Sequence, residues 1–265
     1  MSKILLIEKQ NAILRLTLNR PESFNALNFE MLSALQKAFV LAEEDAGVRV
    51  ILLSGAGKAF CAGGDVKFFS QILDQSEEEK KFSIYQMPTQ LHEMALRMKR
   101  VKKPVICAVN GPAVGAGFAL AALGDLVVAS KSAYFNLAYF NIGLSPDGSS
   151  TFSLPKILGT HKTFSLLATG KNLSVEEANA LGLVTEVFED AEFESQTLAF
   201  AKKIATLPTQ ALAQAKRLVF EGMANSFETQ LNWETEAVRA TALSKDFLEG
   251  VTAFVEKRKP KFRGI

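Results

Sequence analysis

Nineteen consecutive residues, Val105 to Leu123, carry no charge. A run of that length is long enough to raise the question of a membrane span. Asn110-Gly111-Pro112 lies inside it and is a strong turn signal. With that break the run reads as a buried strand, Pro104–Val109, a turn, and a buried helix, Gly115–Leu123. A strand feeding a helix through small residues, both of them buried, is a unit of α/β architecture.

The rest of the chain repeats this alternation as far as about residue 190. Lys3–Glu8 and Ala12–Asn19 read as two strands joined around Gln10-Asn11. In the second, Leu14, Leu16 and Leu18 alternate with Arg15, Thr17 and Asn19, the period of a half-buried strand. Pro21–Asn28 is a loop, and Met31, Leu32, Leu35, Phe39 and Ala42 then recur at helical spacing. Val48–Ser54 is a buried strand, and Gly55–Gly64, with four glycines, a loop. A helix starts near Asp65, and another covers Glu77–Lys99.

Strands follow at Leu126–Ala129 and Ala133–Asn136, a Gly/Ser/Pro/Asp loop at Asn141–Ser150, and helices near 151–158, 160–169 and 174–181. Val184–Phe188 is a strand. From Ala191 the pattern is helical to the end, with breaks at Pro208 and Asn225-Ser226. The predicted organisation is an α/β core over residues 1–190 and a helical region over 191–265.

Composition narrows the chemistry. The chain has 265 residues, and 30 Lys and Arg against 28 Asp and Glu give a net charge of +2. This balance argues against a strongly basic nucleic-acid binder. Two His, His92 and His161, and two Cys, Cys61 and Cys107, would all have to converge to supply the four ligands of one structural zinc site, so such a site is not expected. The same cysteine count points to a reducing compartment without a disulfide framework. Ile4–Ile7 is too short for a secretory apolar region and Glu8 follows at once, so a cytoplasmic location is expected. Any catalysis must rest on carboxylates, backbone amides or a cofactor.

Two loops leave an apolar strand and enter a helix through small residues, Ala59–Asp65 and Asn110–Gly117. Neither is a phosphate loop: Gly55-Ala56-Gly57-Lys58 lacks the P-loop spacing, and Gly115-Ala116-Gly117 lacks a third dinucleotide glycine. Both also read simply as tight turns. Small residues let a ligand approach the backbone, and a helix start leaves amide N–H groups unpaired. Two such sites facing each other would make an oxyanion hole.

These segments resemble the crotonase superfamily, the enoyl-CoA hydratase/isomerase family. Ala59–Asp65 is similar to its first oxyanion segment and Lys103–Asp125 to its second. Asn19-Arg20-Pro21 through Asn25-Ala26-Leu27 is similar to its coenzyme A loop, Ala178–Val187 to its Ala-x-x-x-Gly-Leu-Val-x-x-Val stretch, and Phe254–Lys259 to its C-terminal signature. The five motifs occur in order from about Lys3 to Phe262. The resemblance implies a crotonase-like spiral of ββα repeats with a C-terminal α-helical trimerisation region. It also implies an acyl-CoA thioester as ligand, a homotrimer or hexamer, and neither a nucleic-acid nor a membrane partner. By position, the Gly64 and Ala116 amides would hold the thioester oxygen, although Gly is the more usual residue at the second position.

The reaction turns on carboxylates. Hydratases of this family hold one water with two glutamates, and Ala119 and Tyr139 stand at those positions here. The resemblance therefore disfavours hydration. It places Asp147, in Ile142–Ser149, where several family isomerases keep their base. The segment is most similar to enoyl-CoA Δ3,Δ2-isomerases of fatty-acid β-oxidation and to phenylacetate-pathway ring isomerases. Without the resemblance, Pro146-Asp147-Gly148 reads as a turn and Asp147 as a helix cap.

Removal of a C2 proton from a 3-enoyl thioester and its return at C4 needs one base, an oxyanion hole and no metal or redox cofactor. An apolar pocket would raise the pKa of that base. Substrate contacts implied by the resemblance are Glu22, Phe24 and Ala26 in the coenzyme A loop, with Ala62, Asp65 and Val66 beside the first oxyanion position. Gly115, Ala119, Tyr139, Leu144 and Pro146 follow around the second. Asp65 also reads as a helix cap, and Tyr139 also as packing. Phe254 and Lys257 match positions that touch coenzyme A, often that of a neighbouring subunit, and also read as part of a solvated basic tail. Alternatives are a ring isomerase of aromatic acyl-CoA breakdown, a hydratase, and a non-catalytic CoA- or RNA-binding homologue.

Overall fold

A computed structural model describes residues 3–265. β1 (Leu5–Gln10) and β2 (Ile13–Leu18) form an antiparallel hairpin, followed by α1 (Phe29–Glu44), β3 (Val50–Gly55), α2 (Val66–Leu73), α3 (Glu77–Arg100) and β4 (Val105–Val109). β5 (Ala113–Val114), α4 (Ala116–Ala122), β6 (Leu126–Ser130) and β7 (Tyr134–Asn136) come next, then α5 (Ser150–Leu158) and α6 (Thr160–Thr169). β8 (Leu173–Ser174), α7 (Val175–Ala180) and β9 (Glu186–Phe188) complete the alternating part. Four helices close the chain: α8 (Phe193–Ala205), α9 (Thr209–Glu221), α10 (Phe227–Ala242) and α11 (Lys245–Val255).

The main sheet has the order β1-β2-β3-β4-β6-β9 and is parallel from β2 onward. Parallel strands need crossovers and are covered on both faces, which accounts for the unbroken apolar runs of β3 and β4. Ile51, Leu53, Val105, Cys107 and Val109 face one core, with α1, α3 and α4. Val50, Leu52, Ile106 and Ala108 face the other, against Phe193, Ala201 and Ala205 of α8. The half-buried alternation of β2 is also present: Leu14, Leu16 and Leu18 join the first core, while Arg15 reaches Glu194 on α8. A small second sheet, β5-β7-β8, lies beyond the end of β4.

Two readings are corrected. The end of the chain is not helical: α11 stops at Val255, Lys257 adopts a φ of 53°, and residues 259–265 have no regular structure. Pro260 provides no amide to a helix. Glu249 binds Arg258 at 2.6 Å, and Asp246 accepts from the Arg263 and Gly264 amides at 2.6 and 2.7 Å, so the tail folds back on α11. The loop expected at Asn141–Ser150 begins later, because Ala138–Ile142 forms a 3-10 turn. No helix among the described residues is long and apolar enough to cross a membrane.

Candidate active site

The loops after β3 and β4 lie at the C-terminal ends of neighbouring parallel strands, where open α/β sheets place their ligand sites. They touch directly. Cys61 forms a parallel bridge with Ala113, and the Val114 amide donates to the Cys61 carbonyl at 2.9 Å. Gly63 has φ +93°, and a Cβ there would stand 2.8 Å from the Val114 carbonyl oxygen and 3.3 Å from the Ala116 nitrogen. Gly115 has φ 52° and ψ −122°, the first central position of a type II′ turn, which turns the chain into α4. Ala116 is the first residue of that helix, so its amide has no carbonyl four residues back within the helix. Neither the Gly64 nor the Ala116 amide donates a hydrogen bond within the described residues. Two unused amides thus sit on adjoining loops.

A third loop backs this pair. Asn25, fully buried, donates to the Ala56 and Ala59 carbonyls at 2.9 and 2.8 Å and accepts from the Arg20 amide at 2.9 Å. Leu27 donates to the Gly63 carbonyl at 2.7 Å, and Ala62 to the Phe24 carbonyl at 2.9 Å. Arg20 binds Asp65 at 2.7 Å, and Asp65 also caps α2 through the Lys67 amide at 3.1 Å. Glu22, Phe24 and Ala26 are therefore carried beside Ala62, Asp65 and Val66. Glu22, Phe24 and Val66 are exposed, while Ala26 and Asp65 are buried. Cys61 lies in the floor of the first loop, where burial pushes its thiol up to about 12, so it stays a neutral apolar filler.

Asp147 adjoins α4 through the residue that follows it. Its neighbour Gly148 packs so closely on α4 that an added Cβ would meet the Ala119 methyl at 2.9 Å. Ala119 is one helical turn from Ala116, on the same face. Burial raises the Asp147 pKa above the usual aspartate value, opposed by a hydrogen bond from Tyr139 and by the nearby His92. The Tyr139 hydroxyl donates to Asp147 Oδ1 at 2.9 Å, and the Gly148 amide donates to His92 Nε2 at 3.4 Å. Asp147 and Pro146 also line a largely apolar cavity of about 450 Å³ with His92, Leu96, Phe152 and Phe220.

Contacts thus link segment 22–27 to 62–65, the 61–64 loop to 113–117, and, through Gly148, the Asp147 loop to Ala119. Leu144 is near Asp147 in sequence and exposed. Phe254 and Lys257, both exposed at the end of α11, make no hydrogen bond or ion pair to these loops within the described residues. Sequence reasoning missed three contacts: the Tyr139 hydroxyl on Asp147, His92 beside it, and Arg20 on Asp65.

Residues 8–264 match the family model described as enoyl-CoA hydratase/isomerase. The chain is 36% identical over 264 residues to the 1,2-epoxyphenylacetyl-CoA isomerase of Escherichia coli (strain K12), covering 100% of both. It is 30% identical over 262 residues to the trans-2-decenoyl-(acyl-carrier-protein) isomerase of Streptococcus mutans serotype c, covering 99% of this chain and 98% of that protein. The crystal structure of an enoyl-CoA hydratase from Polaromonas sp. JS666 superposes with a TM-score of 0.92 at 33% identity, covering 97% of this chain and 99% of that one. With its two touching strand-to-helix loops and its sheet order in this crotonase fold, the chain belongs to the enoyl-CoA hydratase/isomerase family.

Proposed function

We propose that this protein is an enoyl-CoA isomerase that shifts the double bond of a 3-enoyl-CoA to the conjugated 2-enoyl-CoA. One observation carries the reading. Asp147 adjoins α4 through Gly148, while Ala119 and Tyr139 occupy the positions where hydratases of the family keep the two carboxylates that hold and activate water.

The C2–H of a 3-enoyl thioester lies between carbonyl and alkene and is acidic. Asp147 takes this proton, and the electron pair delocalises into a dienolate whose negative charge rests on the thioester oxygen. The Gly64 and Ala116 amides donate to that oxygen. The protonated Asp147 then returns the proton at C4, the C3–C4 double bond becomes single, and C2–C3 becomes double. The cycle is redox-neutral and closes with the protein's own groups, without metal or redox cofactor. Burial makes Asp147 a stronger base than an exposed aspartate, which brings it nearer to a working pH around neutrality. Glu22, Phe24, Ala26, Ala62, Asp65 and Val66 would contact the coenzyme A side of the substrate, and Gly115, Leu144 and Pro146 its acyl side.

A second reading, isomerisation of a ring-bearing acyl-CoA, is favoured by the full-length relative named for 1,2-epoxyphenylacetyl-CoA. The same base and amides serve it. Linear 3-enoyl-CoA and aromatic acyl-CoA offered side by side separate the two: conjugation of the linear substrate, read in the near ultraviolet, is the expected result.

Assembly as a homotrimer or a hexamer belongs to the same proposal. The single chain leaves Val219, Phe227, Val238, Leu243, Leu248 and Phe254 of the C-terminal helical region exposed, apolar side chains that subunit contacts would cover. Such an assembly would let Phe254 and Lys257 reach a neighbour's coenzyme A. Light scattering should give three or six times 28.9 kDa, and a monomer mass would refute it.

A further inference from the structure

We propose that Tyr139 is a positioning residue for Asp147: its hydroxyl holds Oδ1 of the carboxyl, so that Oδ2 alone accepts and returns the substrate proton. The inference rests on the isomerase reading above and goes beyond it by assigning the two carboxyl oxygens different work.

The geometry is specific. Tyr139 sits in the 3-10 turn Ala138–Ile142 and is buried. Its own carbonyl accepts the Leu144 amide at 3.1 Å, which fixes the turn from which the ring projects. The hydroxyl lies 2.9 Å from Asp147 Oδ1 and 3.3 Å from the Asp147 carbonyl oxygen. That carbonyl already accepts the Ser150 amide at 3.0 Å and the Ser150 hydroxyl at 2.6 Å, so the side-chain oxygen is the better-placed acceptor. Asp147 Oδ2 has no hydrogen-bond partner within the described residues.

The phenol itself does not exchange protons. Burial first, and the Asp147 charge second, push its pKa above that of free tyrosine. It therefore remains a neutral donor throughout the cycle. When Asp147 carries the substrate proton, Oδ1 still faces a donor, so the proton resides on Oδ2. Removal from C2 and return at C4 then use one oxygen on one face of the substrate. The bond broken is C2–H, the bond formed is C4–H, and no solvent proton is required.

The other titratable groups near Asp147 are on α3. His92 accepts the Gly148 amide, and Lys99 lines the same cavity. α9 contributes Phe220 there, and α5 contributes Phe152, neither of them charged. Of the side-chain contacts, the tyrosine hydrogen bond does most to oppose the effect of burial on Asp147. Its removal therefore raises the pKa of the carboxyl further.

The test is Tyr139→Phe, which deletes one oxygen and keeps the ring, with its thermal midpoint measured as a control. The titration of Asp147 is followed by carbon-13 NMR without substrate in both proteins, its signal assigned with Asp147→Asn. Turnover of 3-enoyl-CoA deuterated at C2 is followed in light water. The expected result is an Asp147 pKa about one unit higher in the variant. The acid limb of the rate should move by the same amount, kcat fall about tenfold with KM nearly unchanged, and the deuterium transferred from C2 to C4 decrease. An identical Asp147 titration in both proteins overturns the proposal, as does an unchanged kcat with an unchanged transferred fraction. A shifted titration in a protein whose wild type does not turn over 3-enoyl-CoA upholds the Tyr139–Asp147 contact and counts against the isomerase reading alone.

Discussion

The Gly64 and Ala116 amides and the Asp147 carboxyl are carried by segments that pack on or begin α4, but they are held there by different means. The amides belong to loops stitched by main-chain bonds, a bridge between Cys61 and Ala113, and the buried Asn25. Gly63 is pressed against the next loop at a φ that side chains rarely adopt. Asp147 lies in a half-buried loop, and its carboxyl is held by one side-chain hydroxyl. The amide pair is therefore built into the main-chain bonding of the fold, whereas the acid's carboxyl is tied to it by one side-chain hydrogen bond. In the family to which this chain belongs, the same contrast gives a physical reason why shared loops can carry different reactions.

The sharpest way to break this comparison is Asp147→Asn. The proposed general base is lost, so kcat for 3-enoyl-CoA should fall by about 10²–10⁴ in a steady-state assay, with the circular-dichroism spectrum unchanged. Cooperative unfolding lost together with activity would place Asp147 in the fold instead.

Gly63→Ala should act on both sides of the contrast at once. The new methyl meets the Val114 carbonyl in a strained backbone conformation, at a cost of about 1–3 kcal/mol. Denaturant titration should show that loss together with reduced turnover. A variant as stable and as active as wild type would contradict the close contact of the two loops.

The smallest effect is in the pH dependence of stability. Burial raises the Asp147 pKa in the folded state. Between its unfolded and folded pKa values the native protein binds the extra proton, so stability falls as pH rises through that window. At neutral pH the charged carboxyl is a net cost, and Asp147→Asn should unfold at or slightly above the wild-type midpoint. The difference should shrink below about pH 4, where the acid is protonated in both states. A lower midpoint for the variant at neutral pH would mean that the ionised carboxylate stabilises the fold.

Much of this was legible in the sequence. The two strand-to-helix loops were, because clustered small residues between an apolar strand and an apolar helix mark a turn into a helix start, although their facing one another was only a permitted geometry. The two-residue strands Ala113–Val114 and Leu173–Ser174 were not, since each exists only by pairing with Tyr134–Asn136. His92 beside Gly148 was equally hidden, because the two are 56 residues apart and meet only once α3 packs. Tyr139 was legible as an apolar-ring position but not as a donor. Its hydroxyl reaches Asp147 from the 3-10 turn Ala138–Ile142, which only at Asn141 and Ile142 overlaps the loop expected over Asn141–Ser150. The helical pattern after Ala191 was read one segment too far, since tail capture by Asp246 and Glu249 is a tertiary effect.

The most direct measurement offers the wild-type protein 3-enoyl-CoA and crotonyl-CoA in parallel. The single-acid account predicts that the first is converted to conjugated 2-enoyl-CoA with part of a C2 deuterium label delivered to C4, and that the second gains water slowly or not at all. Rapid formation of 3-hydroxybutyryl-CoA from crotonyl-CoA, with no conjugation of the 3-enoyl substrate, would contradict it.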